Sequence, residues 1–288
     1  MRFTLGLLSC LPMRFTLGLL SCLLLAGCSA SPSPSVATER PASTDPQASV
    51  EAAPTATARA EDPIDAAVNA TDRDADDRAL DAGRKPSEML RFYGIEPGMR
   101  VAELMAGRGY TAELLARVVG TEGEVYGQNN AWVLERFAEA PWSARLEKPV
   151  NANVIRVDQE LEDPLPKPAH DLDAVFLVLF YHDAVWMKVD RAKMNQAIFA
   201  ALKPGGVYAV VDHSARKGGG LNEVKTLHRI EESVVRAEIE AAGFVLDAEG
   251  DFLRNPDDTR DWSASPSAAG EQRGMSDRFV LRYVKPKG

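Results

Sequence analysis

This 288-residue sequence predicts an α/β fold: a mainly parallel sheet with helices on both of its faces. Three observations carry that expectation. Strand and helix patterns alternate from residue 100 to residue 284. Residues 172–179, LDAVFLVL, make an apolar run of strand length, as expected of a strand buried on both faces. In residues 101–119 a short apolar run ends at Glu103, passes through Met105-Ala106-Gly107-Arg108-Gly109 and enters a helical stretch. That strand, tight loop and helix N-terminus bring backbone N–H groups close to a nucleotide-like ligand, which points to a cofactor-binding enzyme.

The elements follow in order. Residues 86–93 read as a helix with Leu90 and Phe92 inward, stopped by Gly94, and Pro97-Gly98 makes a turn. The first strand spans 100–104 and the first helix after it 110–119. A second strand at 123–127 leads to a helix at 132–139, and a third strand spans 153–157. After the buried strand at 172–179 comes a helix at 188–202, closed by Lys203-Pro204-Gly205-Gly206. A strand at 207–212, a helix at 233–242 stopped by Gly243, and strands at 244–249 and 278–284 complete the set. Residues 253–276 form a long polar loop before the last strand.

Composition removes several classes of function. A net charge of -9 argues against non-specific nucleic-acid binding, and no nucleic-acid partner is expected. The three cysteines, Cys10, Cys22 and Cys28, all lie in the first 28 residues. The body of the chain therefore has no disulfide, no cysteine–zinc site and no thiol nucleophile.

The N-terminus reads as a targeting segment. Residues 1–11, MRFTLGLLSCL, recur as residues 13–23, so Met1 and Met13 are both usable starts. Each copy is an Arg followed by an apolar run, the layout of a secretory signal. The run ends in Leu25-Ala26-Gly27-Cys28, which resembles the bacterial lipobox, whose cysteine is lipidated and becomes the mature N-terminus. The resemblance implies a lipoprotein signal over 1–27 and a lipid anchor at Cys28. Ser29, where sorting to the inner membrane would use Asp, implies an outer-membrane protein facing the periplasm. Residues 28–61, rich in Ala, Ser, Pro and Thr, are expected to form a disordered tether. The charged lead-in at 62–83 is read as a solvated surface segment, with the domain proper at 84–288.

The whole pattern resembles the class I S-adenosylmethionine-dependent methyltransferases, most closely a bacterial group of predicted methyltransferases with this kind of secretory start. Three features carry it over about residues 80–285: the Glu103–Gly109 loop, Leu202-Lys203-Pro204-Gly205-Gly206 before the fifth strand, and Asp277-Arg278-Phe279 opening the last. The resemblance implies a Rossmann-like, seven-stranded sheet whose last strand is antiparallel. It also implies S-adenosylmethionine as methyl donor and a methyl acceptor, a small molecule or one not identified by the sequence. Glu103, Ala106, Gly107, Gly109, Asn129 and Asp158 would hold the donor, with Asn129 standing where relatives carry a ribose-gripping carboxylate. Met105 stands where relatives often have Gly.

Tyr181, His182, Asp183 and His213 are the expected acceptor-facing residues, with His182 as a general base. Asp183 reads equally as a helix cap, and Asp158 as a turn cap. Gly218-Gly219-Gly220 suggests a hinge, His228-Arg229 a surface pair, and Trp262 a ligand contact from the long loop. His182, His213, His228 and Asp212 share no compact zinc spacing, so no metal site is expected, and a metal-dependent hydrolase built on the histidines stands as the third and weakest reading. An exported protein meets little S-adenosylmethionine, so a second reading is a non-catalytic module that binds a nucleoside or small metabolite in the same pocket.

Overall fold

The apolar strand at 172–178 lies at the centre of a seven-stranded sheet, as its two-faced burial requires. The computed structural model describes residues 61–288, all within one compact unit. The signal, Cys28 and nearly all of the tether fall outside the described residues. Among the described residues no helix is long and apolar enough to cross a membrane.

The chain opens with α1 (Pro63–Asn69), α2 (Ala75–Arg84) and α3 (Pro86–Tyr93). Then come β1 (Arg100–Leu104), α4 (Tyr110–Val119) and β2 (Glu124–Asn129). A short α5 (Ala131–Val133) runs through a π turn, Leu134–Ala138, into α6 (Glu139–Leu146). β3 (Val154–Asp158), β4 (Leu172–Val178), α7 (Tyr181–Trp186), α8 (Arg191–Ala201) and β5 (Leu202–His213) follow. The chain closes with α9 (Glu232–Ala241), β6 (Val245–Gly250) and β7 (Arg278–Val284).

The strand order is β3-β2-β1-β4-β5-β7-β6. β7 runs antiparallel to both β5 and β6, and the other pairs are parallel. The expected Rossmann-like sheet is therefore present. Parallel pairing puts the carboxyl ends of β1, β2, β4 and β5 on one edge, and the order reverses between β1 and β4, where such sheets bind ligands.

Two expectations need correction. β5 starts at Leu202 rather than residue 207, with Lys203-Pro204-Gly205-Gly206 looping out of the ladder through Gly205 at φ +81°. Leu172 pairs with Leu202 and Ala174 with Val207, so the strand bulges there, where Pro204 lacks an N–H to donate. The charged lead-in is also no solvated segment. Arg73 is buried and clasps Asp81 through contacts of 2.7 and 2.8 Å. Arg145 of α6 reaches both Asp77 (2.7 Å) and Glu113 (2.5 Å). α1 and α2 are thereby built into the domain ahead of Arg84.

Candidate functional site

The edge formed by the carboxyl ends of β1, β2, β4 and β5 gathers most of the expected site residues. Glu103, next to last in β1, is 4% exposed, and its Oε2 has no hydrogen-bond partner. Burial pushes its pKa up to about 7, against the pull of the Thr111 hydroxyl and the Arg84 charge. An ordinary structural carboxylate would be paired at such depth. In the unfolded chain this carboxyl titrates near 4.5. Between that pH and about 7 the folded state binds the extra proton, so stability falls as pH rises through the window. The expected loss is about 3 kcal/mol. Urea unfolding of wild type and Glu103→Gln at pH 5 and pH 8 checks it; equal pH slopes in the two proteins would place the effect elsewhere.

The loop after β1 is held by two amides of β2. Gln128 Oε1 accepts from the Met105 N–H at 2.9 Å, and the Gln128 carbonyl accepts from Ala106. Asn129 Oδ1 accepts from the Gly107 N–H at 2.8 Å, while its Nδ2 donates to the Gly107 carbonyl at 3.1 Å. Asn129 thus clamps the loop instead of reaching for a ribose, which corrects its expected role. The clamp also accounts for Met105, whose φ of +53° is the left-handed conformation that glycine would adopt freely. That strain costs about 1–2 kcal/mol.

The two loop glycines differ. At Gly107, with φ +58°, a Cβ would meet open space, its nearest atom being the Met105 carbonyl oxygen at 4.0 Å. At Gly109, with φ +84°, a Cβ would fall 2.3 Å from the Trp142 ring and 2.6 Å from Arg145. Gly107 fits close approach by a ligand. Gly109, expected to do the same, is a packing glycine under Trp142. Ala106, just before Gly107, is buried in the same loop.

Asp158, at the end of β3, spends its carboxylate on Arg156 at 2.9 Å, and Arg156 also reaches Glu139 at 2.7 Å. It borders a cleft of about 380 Å³ lined by Ala131, Leu134, Glu135 and Gln159 as well, where the π turn widens the helix.

Beyond β4 the expected quartet splits. Tyr181 points away: its ring is fully buried, its hydroxyl donates to Glu238 at 2.8 Å and accepts from Asn195 at 2.9 Å. It ties α7 to α8 and α9 and does not wall a site. His182 is 2% exposed and fixed by Asp212, which takes its backbone N–H at 2.8 Å and sits 2.6 Å from Nδ1. Burial opposes a charged ring, but Asp212 and Asp183 outweigh it and carry the His182 pKa up to about 10. Asp183 accepts from the Trp186 indole at 2.6 Å, and His182 and His228 offset its burial to hold it below the carboxylate range. His213 pairs with the Ser276 hydroxyl at 2.7 Å, and burial with nearby positive charge drives its pKa well below the usual value.

Two residues outside the expected set belong here. Asp212 orients His182, and His228 brings Nδ1 to 3.2 Å from His182 Nε2. They lie 30 and 46 residues from His182, so local spacing could not join them. Arg229, read as a surface residue, is fully buried against Asp258 at 2.8 Å. Trp262 lies over that guanidinium at 4.6 Å, so its indole packs on the loop's anchor.

No protein-family model matches the sequence, and no curated protein matches it. Solved structures do. A SAM-dependent methyltransferase from Aquifex aeolicus aligns at TM-score 0.51 and 19% identity, over 73% of this chain and 97% of that one. A chain of the Haloferax volcanii complex between the Trm112 methyltransferase activator and a candidate methyltransferase aligns at 0.50 and 17%, over 79% and 100%. A candidate sarcosine dimethylglycine methyltransferase from Galdieria sulphuraria aligns at 0.50 and 17%, over 78% and 91%. The chain shares the seven-stranded Rossmann-like fold of these proteins.

Proposed function

We propose that this protein is an S-adenosylmethionine-dependent methyltransferase. The observation that carries the reading is Glu103: a buried carboxylate with an unpartnered oxygen, beside a clamped loop whose Gly107 leaves room for close approach, at the point where the strand order reverses. That oxygen suits the donor's ammonium group. Arg84, which has no ion pair among the described residues, lies close enough to influence Glu103 and suits the donor's carboxylate. The cleft beside Asp158 suits the nucleoside end.

When bound, the donor supplies an electrophilic methyl group on sulfonium. The chain's part is to hold donor and acceptor in line. His182 and Asp183 stand at the edge where an acceptor would sit.

The experiment is calorimetric titration of S-adenosylmethionine and S-adenosylhomocysteine into purified protein. Micromolar binding of both is expected, weakened at least tenfold by Glu103→Ala and abolished by Gly107→Leu in folded protein. A folded wild type that binds neither overturns the reading. A non-catalytic nucleoside-binding module is the alternative, favoured by Asn129, whose amide is committed to the loop where a ribose-binding carboxylate would stand. Tight binding without methyl transfer to any of a panel of O, N and S nucleophiles selects it.

A further inference from the structure

We propose that His182, Asp183 and His228 form a binding site for one divalent metal ion of the zinc type. Three donor atoms converge from two separate segments, the first turn of α7 and the loop between β5 and α9. His182 Nε2 is 3.2 Å from Asp183 Oδ1 and 3.2 Å from His228 Nδ1, and the latter two are 3.3 Å apart. A tetrahedral ion bound at about 2.0 Å holds its ligand atoms about 3.3 Å from one another. The triangle has the dimensions of three corners of that tetrahedron.

Hydrogen bonding alone serves the triangle poorly. Three edges need three protons, and the cluster has at most two to give. The Asp183 oxygen carries none, and each ring nitrogen carries no more than one. A single cation uses all three lone pairs together.

The surroundings are those of a metal ligand set. Asp212, fully buried, holds His182 Nδ1 at 2.6 Å and leaves Nε2 as the ligand atom. The Trp186 indole takes one lone pair of Asp183 Oδ1, which fixes the carboxylate and leaves a second pair for the ion. His228 reaches the cluster from a backbone φ of +50°, outside the range a histidine prefers. Once His182 gives up its Nε2 proton to an ion, the two carboxylates, Asp183 and Asp212, match the charge of a divalent metal. Two imidazoles with one carboxylate match a zinc donor set.

His182 is 3% exposed at its side chain, Asp183 17% and His228 27%, so the fourth position opens on the His228 side. Three protein ligands with one open position is the arrangement of a working site, able to take a water or a substrate oxygen or sulfur. Among the described residues, the other acidic group of similar compactness, Asp74, Asp77 and Glu113, is neutralised by Arg145 and Lys148 and offers no such position. The inference stands apart from methyl transfer, since its evidence and its test are metal binding alone.

Full-length protein stripped with chelator is titrated with Zn²⁺ by calorimetry. The wild type is expected to bind one equivalent at submicromolar Kd that His228→Ala and Asp183→Asn each weaken at least a hundredfold, while His170→Ala leaves it unchanged. Zn²⁺ should raise the Tm of wild type and not of the two variants. Should His228→Ala fail to fold, Asp183→Asn, nearly isosteric, decides. Absence of a one-equivalent transition in wild type, or a transition untouched by Asp183→Asn and any folded His228→Ala, overturns the proposal. The latter result would place the binding outside this cluster.

Discussion

Gly109→Ala is expected to cost the domain about 3–5 kcal/mol, while Gly107→Ala costs only about 1–2 kcal/mol. Both glycines hold left-handed backbone, so both variants carry the conformational strain of an alanine at positive φ. Only at Gly109 does a steric term join it. The added Cβ would sit 2.3 Å from Trp142 Cζ3 and 2.6 Å from Arg145 Cδ. Trp142 is fully buried, and the Arg145 guanidinium is tied to Asp77 and Glu113, so neither can step aside cheaply. Urea unfolding midpoints of the two variants decide it: equal losses would mean that Trp142 yields and that Gly109 is not a packing residue. The pair also separates stability from binding, because Gly107 faces open space and its variants fold.

Arg229→Met is expected to destabilise the domain by about 3–5 kcal/mol and to loosen the loop at 253–276. Arg229 and Asp258 are both fully buried in their side chains, 2.8 Å apart. Arg229 also donates to the carbonyls of Ser214 and Trp262 and lies under the Trp262 ring. Removing the cation leaves the Asp258 charge without its partner, a larger penalty than loss of the attraction itself. Asp258 keeps the backbone N–H groups of Asp277 (2.6 Å) and Arg260 (2.9 Å), so adding Asp258→Asn should recover part of the loss. Limited proteolysis gives the second readout, with new cuts in 253–276 of Arg229→Met. A single variant as stable and as protease-resistant as wild type would show that the pair is not what pins the loop.

Sequence made the architecture readable where local pattern and tertiary role agree. α3, β1, α4 and β7 have the expected bounds because caps, glycine stops and uniform apolar runs mark them. At Lys203–Gly206 Pro and Gly do mark a turn, but pattern could not show that the strand resumes on both sides of it, with Leu202 already paired to β4. The lead-in at 62–83 misleads for a related reason: its charges find buried partners on α4 and α6, and composition cannot tell a paired charge from a solvated one.

At the site, position was legible and direction was not. Asn129 and Gly109 occupy expected places, yet one turns back onto its own loop and the other lies beneath an indole. Tyr181, beside two residues that do reach the edge, rotates by one helical step into the core. Asp212 and His228 are brought to His182 by the parallel pairing of β4 with β5 and by the loop after β5. Only the folded sheet makes those neighbours.

The threading of β7 between β5 and β6 sets a clock on assembly. β6 touches the sheet through β7 alone, so it has no strand partner until residues 278–284 have left the ribosome. A nascent chain can pair β1 through β5, but one flank of β5 stays open until the last strand arrives, long after most of the polypeptide is made. Such late closure prolongs the partly paired state of the sheet. It also leaves the edge of β5 open to pairing with other chains during the wait.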